Sequence, residues 1–220
     1  MADSLFVQEL HQCPVCLNEE TVTIWQVIDA AADPDLKDKL LRKELLAQPC
    51  SNCGHTWLLG RPLLYRDPDR RLLYYCHAGE TAAEGRAAVR QLPPAAGWQL
   101  RLIPDFNQLI EKIHIADHQC DDRLIEFIKL AVIRQGEQEV EVAAIHFLTA
   151  NDQTFRFLLA GADSQWYSLD LESQIYLNAE ELTAGHLPDI SGEWQVIGQD
   201  YAAQLLQELA AAAANQQSAE

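Results

Sequence analysis

The chain has 220 residues, 48% of them hydrophobic, and a formal net charge of −17, which is enough apolar material for one or two modest cores. No apolar run reaches the ~18–20 residues that a membrane-spanning helix needs. Residues 135–220 hold fourteen acids against a single base, Arg156, and a nucleic-acid surface needs clustered Lys and Arg, so that segment is excluded as one.

In chain order, a short strand-like run leads into Cys13-Pro14-Val15-Cys16. Thr21 to Ile28 is β-branched and alternating, which predicts a strand. Asp33-Pro34-Asp35 supplies an N-cap candidate, Pro at the first helical position and an acid in the first turn, so a helix is expected from Pro34 to about Leu46. Cys50-Ser51-Asn52-Cys53 follows, and then Trp57-Leu58-Leu59 and Leu63-Leu64-Tyr65, expected as a strand pair interrupted by Gly60 and Pro62.

The two Cys-x-x-Cys turns carry the chemistry. Each presents two sulfurs to one ion, and together Cys13, Cys16, Cys50 and Cys53 supply the closed all-thiolate shell that Zn2+ accepts. One structural Zn2+ is therefore the expected cofactor. Backbone N–H groups of such turns are expected to point at the sulfurs, with Gly54 supplying positive φ after Cys53. Leu17 holds the equivalent place after Cys16, and Asn18 is the residue expected to take over that turn. Thiol redox chemistry and iron–sulfur binding are the competing readings. The thirty-three residues between Cys16 and Cys50 exceed the usual spacing and require a folded insert.

From the first knuckle through CxxCGH and Pro62-Leu63-Leu64-Tyr65-Arg66-Asp67, the sequence resembles the bacterial and archaeal CpXC domain, named for two Cys-Pro-x-Cys motifs. The likeness extends through Gln108-Leu109-Ile110-Glu111-Lys112-Ile113 and Asp121-Asp122-Arg123-Leu124-Ile125-Glu126, and covers about residues 5–134. Two positions depart from the pattern: Ser51 stands where the second knuckle usually has Pro, and Leu17 where Gly is usual. The resemblance implies a fold and a metal, and no activity.

Further on, Arg71 to Cys76 reads as a strand, Thr81 to Leu92 as a helix closed by Pro93-Pro94, and Trp98 to Ile103 as a strand. Helices are expected from Asp105 to about Ile115, burying Phe106, Leu109, Ile110 and Ile113, and from Asp121 to about Arg134 as a central core helix. Asp121 suits an N-cap or a first-turn acid. Asp122, Glu126 and Lys129 share one face of the second helix and are expected to form a polar strip with a Glu126–Lys129 ion pair. Cys76, His77, His114, His118 and Cys120 would make a second metal site only if the fold brought them together. Arg61, Arg66, Arg70, Arg71, Arg86 and Arg90 form the one basic stretch, expected as solvated faces.

The C-terminal part changes period. Val140 to Phe147, Phe155 to Leu159, Trp166 to Leu169 and Gln174 to Leu177 read as strands of an antiparallel meander, and Trp194 to Ile197 as one more. His146 is expected as a core or sheet-face histidine. Tyr201, Leu205 and Leu209 stripe a last helix expected to pack on the sheet.

These readings give an α+β protein: an N-terminal four-cysteine zinc ribbon with an inserted helix (core about 5–77) and following helices over 1–134, an acidic antiparallel sheet plus helix over 135–214, and a frayed tail at 215–220. Nucleophile elbow, phosphate loop and His-Glu-x-x-His motifs are missing from the sequence. The expected function is a non-catalytic protein–protein interaction or adaptor module, cytoplasmic, meeting another protein through its acidic C-terminal region. The alternatives are an enzyme with a site between the central helices and the C-terminal sheet, or a zinc- or thiol-responsive switch. The sequence does not set the oligomeric state.

Overall fold

The computed structural model describes residues 3–93, 95–134, 142–188 and 192–217. The chain divides into two compact units, Met1–Ile110 with Ile190–Gln195, and Glu111–Asp189 with Val196–Glu220. The class is α+β, as expected.

In the first unit a five-stranded mixed sheet has the order β1-β2-β5-β6-β7, built from β1 (Leu5–Gln12), β2 (Glu19–Asp29), β5 (Leu63–Asp67), β6 (Leu72–Cys76) and β7 (Gln99–Ile103). The β1/β2 and β5/β6 pairs are antiparallel, whereas β2/β5 and β6/β7 are parallel. Parallel neighbours need a crossover. The β2-to-β5 crossover contains helix α1 (Pro34–Leu41) and the small β3 (Ala47–Pro49)/β4 (Thr56–Leu58) hairpin, and β2, α1 and β3 together fill the wide gap between Cys16 and Cys50. The β6-to-β7 crossover carries α2 (Ala82–Val89), started by a full capping box between Thr81 and Glu84.

Three sequence expectations are corrected here. Helix α1 stops at Leu41 because Lys43 takes φ 62, with the Glu44 N–H bonded to Lys39 O and the Lys43 N–H to Leu40 O. That is a Schellman ending without the glycine that normally signals one. Thr56–Leu58 and Leu63–Asp67 do not pair with each other: the former pairs with Ala47–Pro49, the latter with β2 and β6. Trp194 to Ile197 reduces to a single parallel bridge from Gln195 to Arg101 on β7.

Helix α3 (Phe106–Asp117) runs across the division, and Glu111 begins the second unit. There α4 (Asp122–Arg134) is a core helix, with Leu124, Ile125, Phe127, Ile128 and Val132 buried. Asp121 is its N-cap, accepting the Arg123 N–H at 2.9 Å. The antiparallel meander β8 (Val142–Ala150), β9 (Thr154–Gly161), β10 (Trp166–Glu172) has the order β10-β9-β8 and sends Phe147, Phe155, Phe157 and Leu159 into the same core. Val140 and Glu141, at the start of the first expected strand, lie outside the described residues.

The fourth expected strand is a helix, α5 (Gln174–Thr183). Tyr176 accounts for the choice: its ring stacks on Phe155 at 5.2 Å and its hydroxyl accepts the Asp121 N–H at 2.8 Å. Helix α6 (Gln199–Gln217) buries Leu205 and packs against α4, where the stripe suggested the sheet.

Candidate metal centre

Both cysteine pairs sit at hairpin tips, Cys13 and Cys16 between β1 and β2, Cys50 and Cys53 between β3 and β4. The two tips are built alike. In the first, Cys13 N–H bonds Asn18 O at 2.8 Å and Leu17 N–H bonds Cys13 O at 3.0 Å; in the second, Cys50 N–H bonds His55 O at 2.8 Å and Gly54 N–H bonds Cys50 O at 2.9 Å. The residue after each second cysteine is left-handed, Gly54 at φ 74 and Leu17 at φ 61. Leu17 thus takes the strained position itself, and Asn18 does not replace it. Ser51, in the usual place of Pro, uses its N–H to bond Glu20 Oε1 on β2 at 3.2 Å, a bond that Pro has no hydrogen to make.

The tips converge. Cys13 and Cys53 sulfurs are 3.7 Å apart, Cys16 and Cys50 sulfurs 3.6 Å, and all four lie within 4.8 Å of one another. A tetrahedral ion with metal–sulfur bonds of about 2.3 Å sets its sulfurs about 3.8 Å apart. Disulfide sulfurs sit at about 2.05 Å, so this arrangement fits four ligands of one ion and is no pair of disulfides.

Hydrogen bonds to sulfur prepare the charge such an ion would balance. Asn52 donates its side-chain amide to Cys16 from the opposite knuckle, the Asn18 N–H adds a second bond, and the Cys16 thiol is lowered to about 6. Backbone bonds from Cys53 and Asn52 lower Cys50, but burial and the neighbouring thiols outweigh them and push it up to about 12. For Cys53 the His55 N–H and the Cys50 thiol lower the value, and desolvation with the Cys16 and Cys13 thiols raises it overall. Four thiolates at this distance repel one another, so full ionisation needs a cation in their midst, and metal uptake releases protons. Beneath the knuckles Val22, Ile24 and Leu59 form a small buried core with Val7 and Trp57 against them.

The second cysteine–histidine set is engaged otherwise. Cys76 is buried, and burial pushes its thiol up to about 12. His77 Nδ1 is 3.3 Å from Glu80 O. The His118 ring spans His114 O at 2.8 Å and Thr149 Oγ1 at 2.9 Å, and Cys120 Sγ bonds His118 O. Among the described residues, the four knuckle cysteines are the one group of three or more potential ligands close enough to hold an ion.

Asp122, Glu126 and Lys129 do share a helix face, and Glu126–Lys129 is an ion pair at 3.1 Å. The face is buried, not solvated. Lys112 of α3 lies 3.1 Å from Asp122 and 3.2 Å from Glu126, and Lys129 lies 3.0 Å from Glu111. Glu111 also accepts the Phe147 N–H at 2.6 Å and faces His146 Nδ1 at 3.5 Å. The sequence hid Glu111 and Lys112 as an ordinary charged pair on an amphipathic helix. In the first unit Arg61 pairs with Glu9, Arg66 with Asp29 and Arg70 with Asp67, so half of the basic stretch is committed to internal acids.

Two convergent cysteine knuckles, one on the five-stranded mixed sheet and one on the β3/β4 hairpin, make a four-cysteine cluster with the geometry of a metal site. The chain belongs to the CpXC family: the family model described as CpXC protein matches residues 11–129, more than half of its length. No curated protein and no solved structure matches it significantly. Among the described residues no helix is long and apolar enough to cross a membrane.

Proposed function

We propose that the four cysteines hold one structural Zn2+ and that the chain works as a non-catalytic adaptor, meeting another protein through its acidic C-terminal region. The observation that carries the reading is the closed four-sulfur cluster, with 3.6 and 3.7 Å edges and no position left for an activated water. Zinc at such a site contributes about 10–16 kcal/mol of apparent binding energy, which couples metal uptake to folding of the ribbon. Free thiols throughout the chain suit a reducing, cytoplasmic setting.

An enzyme site between the central helices and the C-terminal sheet would draw on Asp122, Glu126 and His118. Their carboxylates are spent on buried lysines and the imidazole on a backbone carbonyl and a threonine, which supports the adaptor over it.

The test is isolation of the tagged full chain from its host at about 0.15 M salt, where surface charges still act over about 8 Å. A stoichiometric protein partner that is lost on neutralising C-terminal acids supports the adaptor. Monomeric recovery with a measurable turnover of any co-purified metabolite contradicts it.

A further inference from the structure

The two edges of the C-terminal meander are treated differently. Exposed edges invite another strand, and folded proteins usually plug or charge them. On β8, Glu111 Oε1 takes the Phe147 backbone N–H at 2.6 Å, and His118 Nε2 lies 2.9 Å from the Thr149 hydroxyl. The opposite edge, β10, has β9 as its one strand neighbour among the described residues.

β10 is seven residues long and alternates. Leu169 and Leu171 stand across from Phe157 and Phe155 and pack on the core, whereas Trp166, Tyr167, Ser168, Asp170 and Glu172 are exposed. Trp166 is 59% exposed, with its ring 6.2 Å from His146. The turn before the strand adds Asp163, which accepts the Tyr167 hydroxyl at 2.7 Å. Arg156, the one base after Arg134, is tied to Asp170 by two bonds of 2.7 Å. The edge therefore offers backbone groups, an aromatic platform and the Glu172 carboxylate, beside the Arg156–Asp170 pair whose two charges offset each other.

We infer that the open edge of β10 is a docking site for an extended basic segment of another protein, added as a fourth strand. The inference rests on the adaptor reading and names where on the acidic region contact is made. Main-chain bonds to the edge supply affinity, and alternate side chains supply selectivity. A lysine or arginine of the incoming strand faces Glu172, and an apolar residue covers Trp166. Charge selects the occupant: a second copy would set fourteen acids and one base of residues 135–220 against the same surplus, and like charges across strands are destabilising. Nucleic acid and anionic lipid are repelled for the same reason.

The test uses the full-length protein and an acetylated, amidated octapeptide that alternates lysine with valine or threonine, with glutamate in place of lysine as control. Binding is followed by calorimetry and by backbone amide shifts at low and physiological salt. The basic peptide is expected to bind, to shift amides of residues 166–172, and to weaken with salt, while the acidic one does not bind. Glu172→Gln should weaken binding by about threefold, the equivalent of one surface charge contact, with thermal unfolding unchanged. Equal binding by that variant, or shifts confined elsewhere, overturns the β10 site while leaving an acidic docking surface in place. Failure of the basic peptide to bind even at low salt overturns both.

Discussion

Replacing Glu111 by Gln tests how the second unit is held together. The carboxylate is 6% exposed and has three partners: Lys129 Nζ at 3.0 Å, His146 Nδ1 at 3.5 Å and the Phe147 N–H at 2.6 Å. Glutamine keeps an oxygen for Phe147 but removes the charge. Breaking one side of a buried ion pair costs about 3–5 kcal/mol, and the low end, about 3 kcal/mol, applies because Lys129 retains Glu126 at 3.1 Å. Glu111→Ala also strands the Phe147 N–H and costs about 1–3 kcal/mol more. The protonation equilibrium points the same way. Burial raises the Glu111 value, but the bond with His146, the Lys129 charge and the Phe147 N–H outweigh it and hold the carboxyl at about 2, against 4.5 for an unperturbed Glu. The folded value lies below the unfolded one, so this stabilisation is full above pH 4.5 and drains away as pH falls toward 2. The assay is hydrogen exchange of the Phe147 amide, with urea unfolding, at pH 7, 5 and 3. Glu111→Gln should lose about 3 kcal/mol at pH 7, and the gap should narrow at pH 3. Equal stability at pH 7, or a gap unchanged at pH 3, refutes the reasoning.

Leu17→Gly should stabilise the metal module by about 1 kcal/mol in thermal unfolding, because it relieves a left-handed residue that is 65% exposed and has little burial to lose. Gly79→Ala should destabilise the first unit by about 2–4 kcal/mol, since φ is +82 and the new Cβ would stand 2.4 Å from Gly60 O; an unchanged midpoint would show that the backbone there yields freely. Thr81→Ala should cost about 1 kcal/mol through loss of the capping box, read by the same melt.

Local chemistry made the ribbon readable. The cysteine spacing and the alternation over Thr21 to Ile28 each work within a few residues and appear where expected, and the helix expected from Thr81 is there with Thr81 as its cap. What was missed depends on distant partners. Gln174 to Leu177 looks like a strand until Tyr176 finds Phe155 and the Asp121 N–H; the clue available was Ile175, Ala179 and Thr183 at helical spacing. Lys43 ends α1 in a conformation usually left to glycine, so no residue type marks the stop. The Asp122–Glu126–Lys129 face read as a polar strip with one ion pair, because its further counter-charges, Glu111 and Lys112, come from another helix. The parallel β2/β5 pairing, which sends the second knuckle back to the first, is likewise a matter of topology that no local pattern encodes.

Elemental analysis of the untagged full chain, combined with native mass spectrometry, addresses the metal most directly. The account predicts one zinc ion per folded chain, absent from Cys53→Ser, whose ribbon amides lose dispersion while those of the C-terminal sheet remain. Well-folded wild-type protein devoid of metal, or a Cys53→Ser variant that keeps both its zinc and its ribbon, would contradict it.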